Sequence, residues 1–266
     1  MAFDAGERWR ELVEGPGRGL ALDEALLVVA AHDHPDLDIE SQLERMDELA
    51  ARCRPPTLDG LLRLLFVEEG FTGNRDDYYD PRNSYLDEVL DRRTGIPITL
   101  SILTLEVGRR RGVPLAPVNL PGHFLLRDRV DPDVFVDPFN SGAVINRSAV
   151  ERLHTAMRPG EPFGDAHLEV PGPFDILARV LTNLQLVFTQ RSDIRGLSWV
   201  LRLRSQLPGA SPSDQHQLAR VLAAGGSYRE AATVAAEAAR LAAAAGQTKL
   251  ADSLKAESAR FLAKLN

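Results

Sequence analysis

The chain has 266 residues, 44% hydrophobic and 26% charged, which is enough apolar chain for one large domain or two modest ones. Its net charge of -7 and pI near 5.4 argue against nucleic acid as a partner, because phosphate binding needs a basic face. The lone cysteine, Cys53, excludes an internal disulfide and a cysteine-based metal cluster.

The N-terminal residues lack the apolar run of a secretory signal, and no stretch reaches the roughly 18 apolar residues of a membrane helix. A soluble, cytoplasmic protein with no membrane partner is expected. Residues 1–70 read as helices. Trp9, Leu12 and Val13 form a short apolar stripe, and residues 20–31 are apolar nearly all round, as in a buried helix. Residues 38–52 open with acids and place Ile39, Leu43, Met46 and Leu49 near helical spacing. Pro55 and Pro56 stop that helix; Thr57 is the expected N-cap of the next, over 58–69, with Gly70 as its C-cap.

Residues 71–84 are loop-like, and Ser84 is the expected cap of a helix reaching about residue 93, with Asp87 as its N3 acid. Residues 96–107 carry two conflicting signals. Ile96, Ile98, Leu100 and Ile102 alternate as in a strand, whereas Pro97 at a first turn and Gly112 beyond three arginines mark a helix. A span of about 15 residues decides for a buried helix. The pair Arg92 and Arg93 and the run Arg109 to Arg111 sit at expected helix ends, where they complement the dipole.

Short strands follow over 113–120, 123–127 and 134–136, with 142–145 as a candidate fourth. Prolines 114, 117 and 121 imply edges or irregular pairing. A helix over 148–157 closes the region, and the Pro- and Gly-rich stretch 158–173 is the best linker. The expected domains are 1–160 and 174–266. Helices are expected over 174–191, 194–206, 212–223, 228–245 and 248–265. Gly226, Tyr228 and Ala231 fit the G-x-Y-x-x-A turn of a tetratricopeptide unit. One unit is visible where about three make a stable array, so a plain helical hairpin stands as an equal reading.

His123 and Asp137 lie on adjacent predicted strands, where a hairpin can bring them within hydrogen-bond reach. A base and an orienting acid of this kind serve acyl transfer when a cysteine heads a nearby helix, its thiolate stabilised by the dipole. By spacing alone, a structural hydrogen-bonded pair is the simpler reading. Thr99 and Ser101 follow Pro97 on the predicted helix, and a backbone carbonyl is the expected partner of Ser101. Cys53 lies between Arg52 and Arg54, which would lower its pKa, but a buried, incidental thiol is favoured. His32 and His34 read as a solvated helix end, and Asp76, Asp77 and Asp80 as a solvated turn, so no metal and no cofactor is expected.

Five blocks in order identify a relative: F-x-G-N at 71–74, N-S-Y-L at 83–86, V-L-x-R-R-x-G-I-P-I-T-L-S at 89–101, P-G-H-F at 121–124 and D-P-F-N-x-G at 137–142. From 71 to 145 the chain resembles the transglutaminase-like superfamily, in its SirB-type branch, named as bacterial invasion regulators. The resemblance implies an α+β fold: a papain-like core, with a buried helix on a small antiparallel sheet, helices before it and a tetratricopeptide-like tail after it. It also implies Pro97 at the nucleophile position, His123 as base and Asp137 as orienting acid. Proline has no nucleophilic atom. The expectation is therefore a non-catalytic protein that binds a protein or peptide, with Asn83, Arg93, Ser101 and Asn140 as candidate binding residues. The alternative is a hydrolase or acyltransferase using Ser101, Thr99 or a water activated by His123.

Overall fold

The computed structural model describes residues 4–15 and 19–265. The chain divides into two compact units, Met1–Arg8 with Gly17–Val180, and Trp9–Pro16 with Leu181–Asn266.

The first unit is built round a helix with almost no solvated face. Helices α2 (Leu22–Ala31), α3 (Ile39–Ala51), α4 (Leu58–Leu62) and α5 (Leu86–Arg92) precede α6, Pro97–Arg111; α1 (Ala5–Glu14) is divided between the two units. Asp38 caps α3 by accepting the Ser41 N–H, and Thr57 caps α4 by accepting that of Gly60. The helix expected through residue 69 is α only to Leu62; Arg63–Glu68 is a π-helical turn. Of α6, eleven residues from Pro97 to Gly108 are buried. Its alternation of isoleucines and leucines therefore reflects burial on all sides, and length and caps decide its structure. Pro97 occupies the first turn, and Gly112 ends the helix with a φ of 72°, a conformation that favours glycine.

The arginines at its end do more than complement a dipole. Arg110 reaches Asp23 on α2 and Asp47 on α3, each at 2.6 Å, and Glu106 one turn back at 3.4 Å. Burial and the nearby Asp23 push the Glu106 carboxyl up, against the pull of Arg109 and Arg110.

Four strands form an antiparallel meander in the order β3 (Leu115–Leu120), β4 (His123–Asp128), β5 (Val134–Asp137), β6 (Ala143–Asn146). The predicted strands agree within two residues at either end. Val118, Leu120, Leu125 and Phe135 join Val150 of helix α7 (Arg147–Met157) and Leu168 in one apolar cluster. A separate pair escaped sequence reading. β1 (Thr72–Gly73) lies parallel to β2 (Thr94–Gly95), two residues each, too short for any periodic signal.

Helix α8 (Pro173–Gln190) contains the boundary between the units, and α9 (Ile194–Ser205), α10 (Pro212–Ala224), α11 (Tyr228–Ala244) and α12 (Thr248–Ala263) belong to the second. At the turn before α11, Gly226 has a φ of 82° and Ala231 is fully buried. The same step recurs before α12, with Gly246 at φ 73° and Ala251 2% exposed. Small residues at these points let consecutive helices approach closely, and Ala238, Ala239, Ala242, Ala251 and Leu254 make the resulting core. No described helix is long and apolar enough to cross a membrane.

Candidate functional site

The five sequence blocks meet in space, and their polar atoms are spent largely on one another. The β1–β2 pair anchors the loop between them: the Asn74 amide N–H donates to the Gly95 carbonyl at 3.0 Å. Within that loop, the Asn74 side chain donates to Asn83 Oδ1 at 2.9 Å. Asn83 in turn donates to the carbonyls of Asp77, at 2.7 Å, and Tyr78, at 3.2 Å. Its own carbonyl accepts the Thr99 hydroxyl at 2.6 Å. Asn83 is fully buried, so it braces the loop against the start of α6 and lines no groove.

Gly73 and Gly142 show why two of the blocks need glycine. A Cβ on Gly73 would stand 2.4 Å from the Phe139 ring and 2.5 Å from the Phe139 carbonyl oxygen. Gly142 has a φ of 70°, and a Cβ there would meet the Phe66 ring at 2.2 Å. The turn Pro138–Asn140 is thus clamped between β1 and the π-helical segment. Across the same contact, Thr72 and Ser141 share a hydroxyl hydrogen bond of 3.1 Å, and Arg75 donates to Asn140 while lying over the Phe139 ring.

Pro97 is buried at the first turn of α6. The two alcohols that follow are committed elsewhere. Thr99 Oγ1 accepts the Ile96 N–H at 3.2 Å besides donating to Asn83, and Ser101 Oγ donates to the Phe124 carbonyl at 3.0 Å. Both are fully buried. The carbonyl partner expected for Ser101 is therefore present, on β4 and not on its own helix.

His123 and Asp137 are neighbours without a hydrogen bond. His123 Nδ1 is 3.9 Å from Asp137 Oδ2, beyond hydrogen-bond range, and is buried with no hydrogen-bond partner. The Asp137 carboxylate serves Asn140, accepting its backbone N–H at 3.2 Å and its side-chain amide at 2.5 Å. It caps the turn that follows β5. This corrects the expectation of a directly bonded pair: the acid is occupied by its own turn.

Two further expectations are corrected. Ser84 caps nothing, because Asp80 heads a turn over Pro81–Ser84 and the helix starts only at Leu86, with Tyr85 in the capping position. Arg93 does not join His123 in a groove. At φ 58° it closes α5, lies over the Phe71 ring and pairs with Glu69 at 2.8 Å. Cys53 is buried, as expected, and burial pushes its thiol up, outweighing Arg111 and Arg63.

Sequence reading missed Arg179. From α8 its guanidinium donates to Asn119 Oδ1, to the Leu120 carbonyl at 2.7 Å and to the His123 carbonyl at 3.1 Å, all neutral acceptors. Burial therefore pulls its pKa down, only partly offset by Tyr78. It fixes the backbone of the β3–β4 turn from a helix 56 residues beyond His123, which no local motif announces. Sequence reading also missed the grouping of His154, Glu161 and His167, whose donor atoms lie within 4.8 Å of one another.

The comparisons agree with this construction. A profile of the transglutaminase-like superfamily matches residues 27–182, and the chain belongs to that superfamily. A UPF0162 protein of Xylella fastidiosa strain 9a5c is 39% identical over 197 residues, covering 68% of this chain and 69% of the relative. A UPF0162 protein of Vibrio cholerae is 33% identical over 156 residues, 56% of this chain and 54% of the relative. F-box only protein 21 of Mus musculus is 40% identical over 194 residues, 70% of this chain but only 30% of the relative. No solved structure matches.

Proposed function

We propose that this protein is a non-catalytic transglutaminase-like module that binds a protein or an extended peptide. The observation that carries the reading is the state of the α6 start: Pro97 stands at the nucleophile position, and the hydroxyls of Thr99 and Ser101 are buried and bonded to carbonyls. An alcohol nucleophile must lie within about 3 Å of its base and have a proton to give it; these protons are already donated elsewhere. Asp137 likewise supports its own turn.

Two further observations support binding. The second unit has a cleft of about 370 Å³ with Leu197, Leu201 and Val221 among its lining residues and Gln185, Gln217 and Arg220 as polar groups. Apolar walls with amides offer a peptide both anchor sites and main-chain partners. In F-box only protein 21 the shared segment is under a third of the whole, as befits a module carried within a larger protein.

The test is a cross-linking pull-down with the full chain and with Gln217→Ala/Arg220→Glu. We expect the wild type to retain a discrete partner that the variant loses at unchanged melting temperature. Retention of the same partner by both would exclude the cleft, and retention of nothing above background by the wild type would exclude the binding reading.

A further inference from the structure

The geometry points to a divalent transition-metal site formed by His154, Glu161 and His167, which we propose binds Zn2+ or an ion of similar preference. His154 is on α7, and Glu161 and His167 come from the Pro- and Gly-rich stretch that follows it. Glu161 Oε1 lies 3.5 Å from His167 Nε2 and 3.9 Å from His154 Nε2. An ion with bonds of about 2.0–2.1 Å in tetrahedral geometry holds its donors about 3.3 Å apart. All three donor atoms lie within 4.8 Å of one another, so side-chain movements of at most about 1.5 Å close the site.

A second observation points to a ligand independently. His154 is fully buried, yet neither ring nitrogen has a hydrogen-bond partner. Buried polar atoms are normally satisfied, and an imidazole sealed away with both nitrogens idle is the exception that a bound ion explains. His167 is arranged as a ligand would be. Its Nδ1 lies 3.2 Å from both the N–H and the carbonyl oxygen of Gly164; in the tautomer that donates to the carbonyl, the Nε2 lone pair faces the site and is available to a metal. Ring packing alone, with His154 and His167 at 4.3 Å and Phe163 stacked on His167, accounts for the proximity but not for the idle nitrogens.

Two imidazoles and one carboxylate suit zinc and its neighbours, not calcium or magnesium, which take oxygen donors. The half-exposed Glu161 leaves the solvent side open for water as fourth ligand. Three protein ligands drawn from a helix and the segment after it would pin residues 158–168 onto α7. Arg147, which lies over the Phe163 ring, is paired with Asp165 and so leaves the Glu161 carboxylate to the ion.

The test uses the full chain without a histidine tag, stripped with a chelator and titrated calorimetrically with Zn2+, alongside Glu161→Gln and His167→Ala. Both substitutions fall on partly exposed side chains, so folding is retained. We expect one Zn2+ per chain, a rise in melting temperature on binding, and affinity at least tenfold weaker in each variant. Co2+ should give the visible absorption of a tetrahedral site in the wild type only. Absence of stoichiometric binding, or equal binding by wild type and both variants, would overturn the proposal.

Discussion

Replacing Thr99 with valine tests how the α6 start is held together. Valine keeps the shape and removes the hydroxyl, which donates to the Asn83 carbonyl at 2.6 Å and accepts the Ile96 N–H at 3.2 Å. Each buried group left unsatisfied costs about 1–3 kcal/mol. The Ile96 N–H retains a weak 3.4 Å contact with the same Asn83 carbonyl, which offsets part of the loss. The expected destabilisation is therefore about 2–3 kcal/mol. That corresponds to a fall in melting temperature of very roughly 4–12 °C for a unit of this size. Thr99→Ser keeps both hydrogen bonds and loses one methyl group, for about 1 kcal/mol. The assay is urea unfolding of wild type and both variants. A Thr99→Val change below about 0.5 kcal/mol, or serine costing more than valine, would refute the view that this hydroxyl is structural.

Gly73→Ala should destabilise by about 1–3 kcal/mol in the same assay, since its methyl meets both the ring and the backbone carbonyl of Phe139; a neutral result would break the link between the 71–74 and 137–142 blocks. Cys53, fully buried and with its thiol pushed up by burial, should resist alkylation at pH 7 until urea unfolds the chain, as a mass-shift time course would show. Asp80 gives a pH signature. Burial pushes its carboxyl up, but the hydrogen bonds and charge of Arg82, with Arg92, outweigh this and lower it. A lowered carboxylate contributes stability above its unfolded value, and that contribution is lost as pH falls through the folded one. The stability gap between wild type and Asp80→Asn should thus hold down to about pH 5 and shrink as pH falls further, through the folded value; a constant or growing gap contradicts the ion pairing.

What the sequence made legible is what periodicity and caps encode. Thr57 and Gly112 mark helix ends by chemistry that acts within a few residues, and the structure uses both as expected. The meander was visible because its strands are apolar and bounded by turns. Ser84 misled because Asp80, followed by Pro81, makes a stronger local cap first. Arg93 misled because its partner, Glu69, is 24 residues upstream on another element. The β1–β2 pair and Arg179 depend on contacts between distant segments and leave no local trace, whereas His154, Glu161 and His167 are near in sequence but follow no regular ligand spacing. His123 and Asp137 are paired by their adjacent predicted strands and by family likeness, and they do approach; that Asn140 takes both carboxylate oxygens follows only from the shape of the turn.

The central claim is that the core carries no working nucleophile. Intact-mass analysis after treatment with a serine- and threonine-directed electrophile, on wild type and His123→Ala, tests it most directly. The result expected is no adduct that depends on His123. A stoichiometric adduct on Thr99 or Ser101 that disappears in His123→Ala would contradict it and establish the protein as an enzyme.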